Sequence, residues 1–577
     1  MNGVQDSPAL AAAKRAQAKI ERCLDEGCNF RLEAGAGAGK TYSLIAALKR
    51  MIAERGTELM QSGRKIACIT YTEVAREEIA REVEGHPAII VETIHAFSWA
   101  FLRKYQKALR ELVSASESRR GKLEEAGGVG SKLVEYELGF FGVDDKRITL
   151  AHDDIPLYMS QLLAKPKFQL LFQQQFPIVF IDEYQDTDRD FMTAITDYFF
   201  TPRKGPLIGL FGDHWQTIYN SEYELAAYPI EAIDKGSNFR SAPAIVDVLN
   251  RLRPELTQAV ADPEAAGEAR FFHTNLFTGA RTSTPHSKAD LFPELARKVR
   301  ESLMERLQGE GWDLAKTKVL MLTHNTLAAE QGYPSIAKVF SGRNDAFARK
   351  EDPSIKFFAE TLEPMADAYQ VSNYGELFRL YGARPAINTQ ADKQSWRDDM
   401  DALMTLRNEG TIGGVLDHLQ ATKRPALPDR VLRREEELRQ LNGEPIPEDA
   451  TGLQRHRSLR DVAYSEMTAL ARFIDKQTPF ATQHSVKGAE FENVLVVLGG
   501  GWNHYNWPKL LELIETKALT TANTKGFYRA RNLFYVSISR PMKRLAVLAT
   551  QTLSATALTT ATQLFGEANV EALEVPE

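Results

Sequence analysis

The first hundred residues alternate short apolar runs with amphipathic, charged stretches. NFRLEA, KIACIT and AIIVET read as strands, and YSLIAALKRMIAERG and EVAREEIAREVEG read as helices. That alternation predicts a parallel α/β sheet. From about Phe101 to Lys167 the pattern turns helical and charged, interrupted by EAGGVGSK, which marks an insertion. The sheet resumes at FPIVFIDE and PLIGLFGD. A second α/β pattern begins between 250 and 320 with KTKVLMLTH, gives way to polar, Pro-punctuated helical sequence, and returns at ENVLVVLGG and KRLAVLAT. The economical expectation is two α/β domains, each with a mainly helical insertion. The first comprises residues 1–98 and 168–248, with its insertion at 99–167. The second comprises 249–345 and 470–577, with its insertion at 346–469. No internal repeat is present.

Composition narrows the class. A chain of 577 residues is too long for one ordinary core. With 43% hydrophobic and 26% charged residues it reads as soluble and globular. Its three cysteines, Cys23, Cys28 and Cys68, form no CxxC and suggest neither a disulfide framework nor a zinc site. No apolar run reaches the roughly 18–20 residues of a membrane helix, and the N-terminus lacks the order of a signal peptide. The expected location is therefore cytoplasmic, without a membrane partner. A net charge of −6 does not advertise nucleic-acid binding, but a local basic groove would suffice for it.

Candidate chemistry starts at EAGAGAGKTYSL, residues 33–44, between a predicted strand and a predicted helix. Gly35, Gly37 and Gly39, with Ala34, Ala36 and Ala38 between them, permit a turn whose N–H groups converge on phosphate oxygens at a helix N-terminus. Lys40 would then reach the β- and γ-phosphates and the Thr41 hydroxyl would hold Mg²⁺. Ala34 stands where the strict pattern has glycine, so a ligand-free Gly/Ala turn is the alternative. The decision comes from PIVFIDEYQDTD, an apolar strand ending in Asp182 and Glu183. Asp182 is placed to contact a nucleotide-bound Mg²⁺, and Glu183 to polarise the attacking water.

With these residues in view the chain resembles the UvrD/Rep-like helicases of superfamily 1. DEYQDTD is similar to their motif II, and Ala at the first loop position is common among them. The other motifs follow in the family's order: ITYTEVAREEI, TIHAFS, FGDHWQTIY, NFRSAPAIVDVLN, TQHSVKGAEFENVLVV and NLFYVSISRPMKRLAVL. The resemblance implies two RecA-like P-loop domains with insertions, and ATP and Mg²⁺ as cofactors. It implies Arg240 and Arg540 as arginine fingers, one from each α/β domain, so that hydrolysis follows domain closure. Gln216 would sense the γ-phosphate, Gln17 would read adenine, and Glu490 would reach the nucleotide from the second domain. Tyr42 stands where relatives carry Arg, and Phe239 where they carry Tyr; both keep a flat face for adenine.

For single-stranded DNA the resemblance points to Tyr71, Thr72, His95 and His484. Tyr71 fits equally a core aromatic, and the histidines fit structural roles. IYNSEYEL lacks the Arg and the base-stacking Trp of relatives, leaving Trp215 or Tyr223 as substitutes. LGFFGVDDKRITLAHDDIPLYM, KVLMLTHNTLAAEQGY and DPSIKFF resemble the UvrD-like subgroup encoded beside OLD-family (TOPRIM) nucleases, which includes the helicase-like subunit of the Gabija anti-phage system. Two functions stand on this footing. One is a 3′-to-5′ DNA helicase or translocase acting on single strands or ends. The other is a DNA-sensing ATPase subunit that licenses a partner nuclease. A P-loop enzyme indifferent to nucleic acid is the third and weakest reading.

Overall fold

The computed structural model describes residues 7–136, 141–200, 205–218, 230–285, 287–322, 327–328, 331–341, 347–348, 350–382, 387–441, 444–447, 450–475, 478–500 and 505–576. Tyr223 lies outside the described residues. The chain folds into two compact units. One holds Met1–Ala269, Lys517–Leu545 and Ala561–Glu567; the other holds Arg270–Thr516, Ala546–Thr560 and Ala568–Glu577.

The first unit is built on six strands: β1 (Phe30–Ala34), β2 (Ile66–Thr70), β3 (Ile89–Thr93), β4 (Ile178–Asp182), β5 (Leu207–Gly212) and β6 (Glu231–Lys235). They lie in the order β3-β2-β4-β5-β1-β6, and every pair is parallel. Helices cover such sheets on both faces, which is why β2 and β4 are buried at every residue. Phe30, Phe180 and Phe211 meet edge to face beneath the sheet, with centroids 5.5–6.2 Å apart. A Cβ on Gly209 would lie 2.7 Å from the Phe30 ring, so only glycine fits that position of β5.

The helices that matter for the site are α1 (Pro8–Glu26), α2 (Lys40–Gln61), α3 (Glu73–Glu82), α4 (Ile94–Leu102), α5 (Pro243–Leu252) and α6 (Thr524–Ile538). Helix α1 has the expected punctuation: a Ser7 cap, Pro8 in the first turn and Gly27 at φ 65° after the last. The 99–167 insertion is less helical than its charge pattern suggests. Leu133–Tyr136, Gly142–Val143 and Arg147–Leu150 form a small three-stranded sheet. Its residues Val134, Ile148 and Leu150 join Leu109, Tyr158 and Leu162 in a core continuous with Ile69 and Ile181 of the main sheet. The insertion shares that core.

The second sheet contains β7 (Glu268–His273), β8 (Thr317–Met321), β9 (Phe480–Thr482), β10 (Phe491–Leu498), β11 (Pro541–Ala549) and β12 (Val570–Ala572), in the order β9-β8-β10-β11-β7-β12. Within the second unit, the insertion is helical from Pro353 to Ile474 apart from its connections, with its own core around Phe358, Trp396, Leu416 and Tyr464. Arg407 and Glu363 form a buried two-point ion pair there, at 2.7 and 3.1 Å.

Candidate nucleotide site

The glycine-rich turn leaves the carboxyl end of β1 and enters α2 directly. Gly37 and Gly39 sit at φ 74° and 72°, where a side chain is strained. A Cβ on Gly37 would also lie 2.8 Å from that of Arg240. The carbonyls of the turn are bonded away from its interior. Ala36 O accepts from Asn238 Nδ2 (3.1 Å) and Gln258 Nε2 (3.0 Å), and Gly37 O from Phe239 N (2.9 Å). Ala38 O accepts from Ser237 Oγ (3.0 Å), and Gly39 O from Lys235 Nζ (2.7 Å). Trans peptide planes then aim the N–H groups of Gly37, Gly39 and Lys40 the other way, while Ala38 N donates to Gly35 O within the turn (3.1 Å). The N–H groups of Lys40 and Thr41 open α2, where the first turn supplies no acceptor. The result is an anion cradle. None of Lys235, Ser237, Asn238 or Gln258 was singled out by sequence; only the polar run KGSN at a strand end hints at them.

Lys40 pairs with Glu183, and its Nζ lies 3.4 Å from Asp182 Oδ1. Burial works against the lysine's charge, but Asp182 and Glu183 outweigh it and hold Lys40 protonated well above its usual range. Glu183 sits at φ 48° immediately after β4, a conformation that costs an ordinary residue about 1–2 kcal/mol. The turn aims its carboxylate back at Lys40, and Gln185 Nε2 donates to the same carboxylate. Asp182 Oδ1 is buried and receives no hydrogen bond. A buried carboxylate oxygen with only the Lys40 ammonium nearby, at 3.4 Å, is a hard-oxygen donor of the kind that suits Mg²⁺.

The remaining predicted catalytic residues also gather in this unit. Asp213, fully buried after β5, accepts from Arg253 Nη1 (2.6 Å), Trp215 N (3.0 Å) and Gln216 Nε2 (2.8 Å). Gln216 Oε1 accepts from Arg540 Nη2 at 3.3 Å. Arg240 Nη1 donates to Ser539 O (3.1 Å), and Arg540 Nη2 to Ser539 Oγ (3.0 Å), so both arginines converge on one residue. The two arginines, expected on different domains, both fall in the first unit. Arg540 falls in the first unit because α6 packs there: Tyr535 Oη accepts from Ala36 N (3.2 Å), and Asn532 Nδ2 donates to Thr217 O (3.0 Å).

A buried polar network underlies these loops. Glu33 accepts from Tyr184 Oη (2.8 Å) and His214 N (2.7 Å) and pairs with Arg253 (3.3 Å). Burial pushes its carboxyl up, but His214 and Arg253 prevail and hold it at about 2. Glu33, Asp213 and His214 have the spacing of metal ligands. Arg253 already bonds both carboxylates, so the cation of this cluster is a guanidinium. Sequence reading missed Glu33 and Arg253; a charged residue inside the apolar β1 is the available signal.

The AAA domain family matches residues 17–222. Gabija protein GajB of Bacillus cereus (strain HuB5-5) is 23% identical over 671 aligned positions, covering 92% of this chain and 94% of that protein. RecBCD enzyme subunit RecB of Chlamydia trachomatis is 33% identical over 111 residues, and that of Chlamydia pneumoniae 28% over 117, each covering 11% of RecB and under a fifth of this chain. By these matches the chain is similar to the UvrD/Rep-like superfamily 1 proteins. It is an ATP-hydrolysing enzyme of the helicase class.

The other residues implicated in this family's chemistry are placed as follows. Tyr42 is 75% exposed and Phe239 47% exposed, the latter beside Gly39. Gln17, on α1, has a buried amide oxygen with no donor. Glu490 is exposed in the second unit. Tyr71 is exposed after β2, and Thr72 caps α3 through Ala75 N. His95 stacks on His152 at 3.5 Å, and burial, then His152, pushes its pKa down to about 4. His484 bonds Tyr505 Oη at 2.8 Å. Trp215 needs correction as a base-stacking candidate. It is buried, edge-on to Tyr535, with the Arg531 guanidinium 3.7 Å over its ring, so it belongs to the packing of the site. Among the described residues no helix is long and apolar enough to cross a membrane.

Proposed function

We propose that the chain is an ATP-driven motor of the UvrD type on single-stranded DNA or DNA ends, moving 3′ to 5′, in the cytoplasm. Its setting is anti-phage defence of the Gabija kind beside an OLD-type nuclease, the reading suggested by similarity to GajB along both chains. The observation that carries the enzymatic part is the convergence of Lys40, Glu183, Gln216, Arg240 and Arg540 on one loop system of the first unit. Lys40 and the loop amides hold the triphosphate, with adenine between Tyr42 and Phe239 and read by Gln17. Thr41 and Asp182 hold Mg²⁺, which draws charge from the phosphates when bound. Glu183 takes the proton of the attacking water as its oxygen bonds the γ-phosphorus and the bridging bond breaks. Arg240 and Arg540 meet the charge developing on the transferred group, a contribution of roughly 10³–10⁵ in rate, about 4–7 kcal/mol.

Glu490 is the further nucleotide contact that the resemblance implies. Arg540 directly precedes β11, whose residues from Ala546 on belong to the second unit. The domain boundaries expected from sequence serve this reading with 249–269, 517–545 and 561–567 moved to the first half. Tyr71, Thr72, His95 and His484 are the proposed DNA contacts. Lys40→Ala is expected to abolish hydrolysis, at least 10³-fold, and Glu183→Gln to retain nucleotide binding while hydrolysis falls. Steady-state phosphate release and nucleotide-binding titrations check both. Loss of the base-stacking Trp215 favours a second reading, a DNA sensor that licenses the nuclease without processive unwinding. Unwinding of a 3′-tailed duplex by the chain alone would exclude it.

A further inference from the structure

We propose that Lys235 is a second, buried cation of the phosphate loop, a positioning residue whose counter-anion is the bound nucleotide, so that nucleotide binding brings a proton with it. The inference rests on the nucleotide-site reading above and extends it to a residue outside the motifs that carried that reading.

The sequence breaks its own pattern here. In β6 the alternation places Ile233 and Lys235 on the buried face and Ala232 and Asp234 outside. A lysine on the inward register of a sheet edge is a local conflict, and such conflicts concentrate at functional sites. Lys235 is 1% exposed. Its Nζ donates to Gly39 O (2.7 Å) and Ser43 Oγ (2.8 Å), both neutral, and an ammonium has a third proton to place.

The charged groups on the packed elements are otherwise engaged or face away. On β6, Asp234 is exposed and Glu231 pairs with Arg22 of α1. Glu33 of β1 is taken by Tyr184, His214 and Arg253, and Lys40 of α2 by Asp182 and Glu183. The exposed Lys14, Arg15 and Lys19 on α1 are cations and supply no counter-charge. Burial alone therefore acts on Lys235, and pushes it down to about 8.

The bond to Gly39 O gives that charge a route to the ligand. Gly39 O and Lys40 N belong to one trans peptide, so an ammonium fixed on the oxygen aims the N–H into the cradle and polarises it. A phosphate accepting that N–H stabilises the charged lysine in return. By linkage, the site that binds anion more tightly when protonated takes up a proton when the anion binds.

The test is calorimetric titration of the full chain with MgADP at pH 8.5, in two buffers of different ionisation enthalpy, alongside Lys235→Met and Lys235→Arg. The wild type is expected to take up roughly half a proton or more per ADP. Its Kd should rise roughly tenfold between pH 7.5 and 9.5. Lys235→Met should show no uptake and a Kd about tenfold weaker and flat with pH. Lys235→Arg should bind without uptake, with its charge retained at pH 9.5. ADP binding by the wild type with no proton uptake overturns the inference, whether or not the variants fold. Equal uptake by wild type and Lys235→Met overturns it as well. If ADP does not bind at any pH, both the inference and the nucleotide site fall.

Discussion

Glu33 is the residue on which most of the site's loops depend. It is buried at the end of β1, just before the phosphate loop, and bonds Tyr184 beyond β4, His214 beyond β5 and Arg253 beyond α5. Breaking a buried ion network by removing one member typically costs about 3–5 kcal/mol. Glu33→Gln keeps the shape and loses the charge, so it should lower stability in that range and slow hydrolysis by displacing Asp213 and Gln216. Chemical denaturation and phosphate release measure the two effects. The pH dependence has a defined sign. The Glu33 carboxyl titrates at about 2 when folded, against 4.5 ordinarily. Its contribution is complete above pH 4.5 and is lost as pH falls from 4.5 through 2. Glu33→Gln should flatten that part of the stability profile.

At the level of strands and turns, three carboxyl ends, those of β1, β4 and β5, deliver the phosphate loop, the acidic pair and Asp213 side by side. Their closeness depends on small residues. A Cβ on Gly212 would run into Gln185 Oε1 and the Tyr184 ring, which orient Glu183. Gly212→Ala is therefore expected to cost about 1–3 kcal/mol and to reduce hydrolysis more than nucleotide affinity. Thermal melts with parallel kinetics will tell. These elements were readable beforehand because parallel-sheet strands are unbroken apolar runs ending in turn residues. The small sheet at 133–150 was not, because its strands of two to four residues are too short to show a period. The grip on the loop by Lys235, Ser237, Asn238 and Gln258 escaped for a different reason. Ordinary polar residues acquire roles only when a fold places them against particular carbonyls.

Across the whole chain, ordered motifs revealed the class of enzyme, yet their assignment to halves differed from expectation. Arg540 follows α6, and α6 is held in the first unit by Tyr535 and Asn532. Sequence order alone put it with the second sheet, since β11 begins one residue later. Both proposed fingers thus fall in the unit that carries the phosphate loop. Arg240→Ala and Arg540→Ala should each lower kcat by roughly 10³-fold or more with little change in nucleotide affinity. Their effects should fall well short of additive because both bond Ser539.

The central claim is an ATPase coupled to DNA, and its most direct measurement is steady-state ATP hydrolysis by the full chain with and without single-stranded DNA, using Glu183→Gln as the background control. Hydrolysis should rise at least tenfold with DNA and vanish in Glu183→Gln while that variant still binds ATP. Hydrolysis indifferent to DNA, or undiminished in Glu183→Gln, would contradict it.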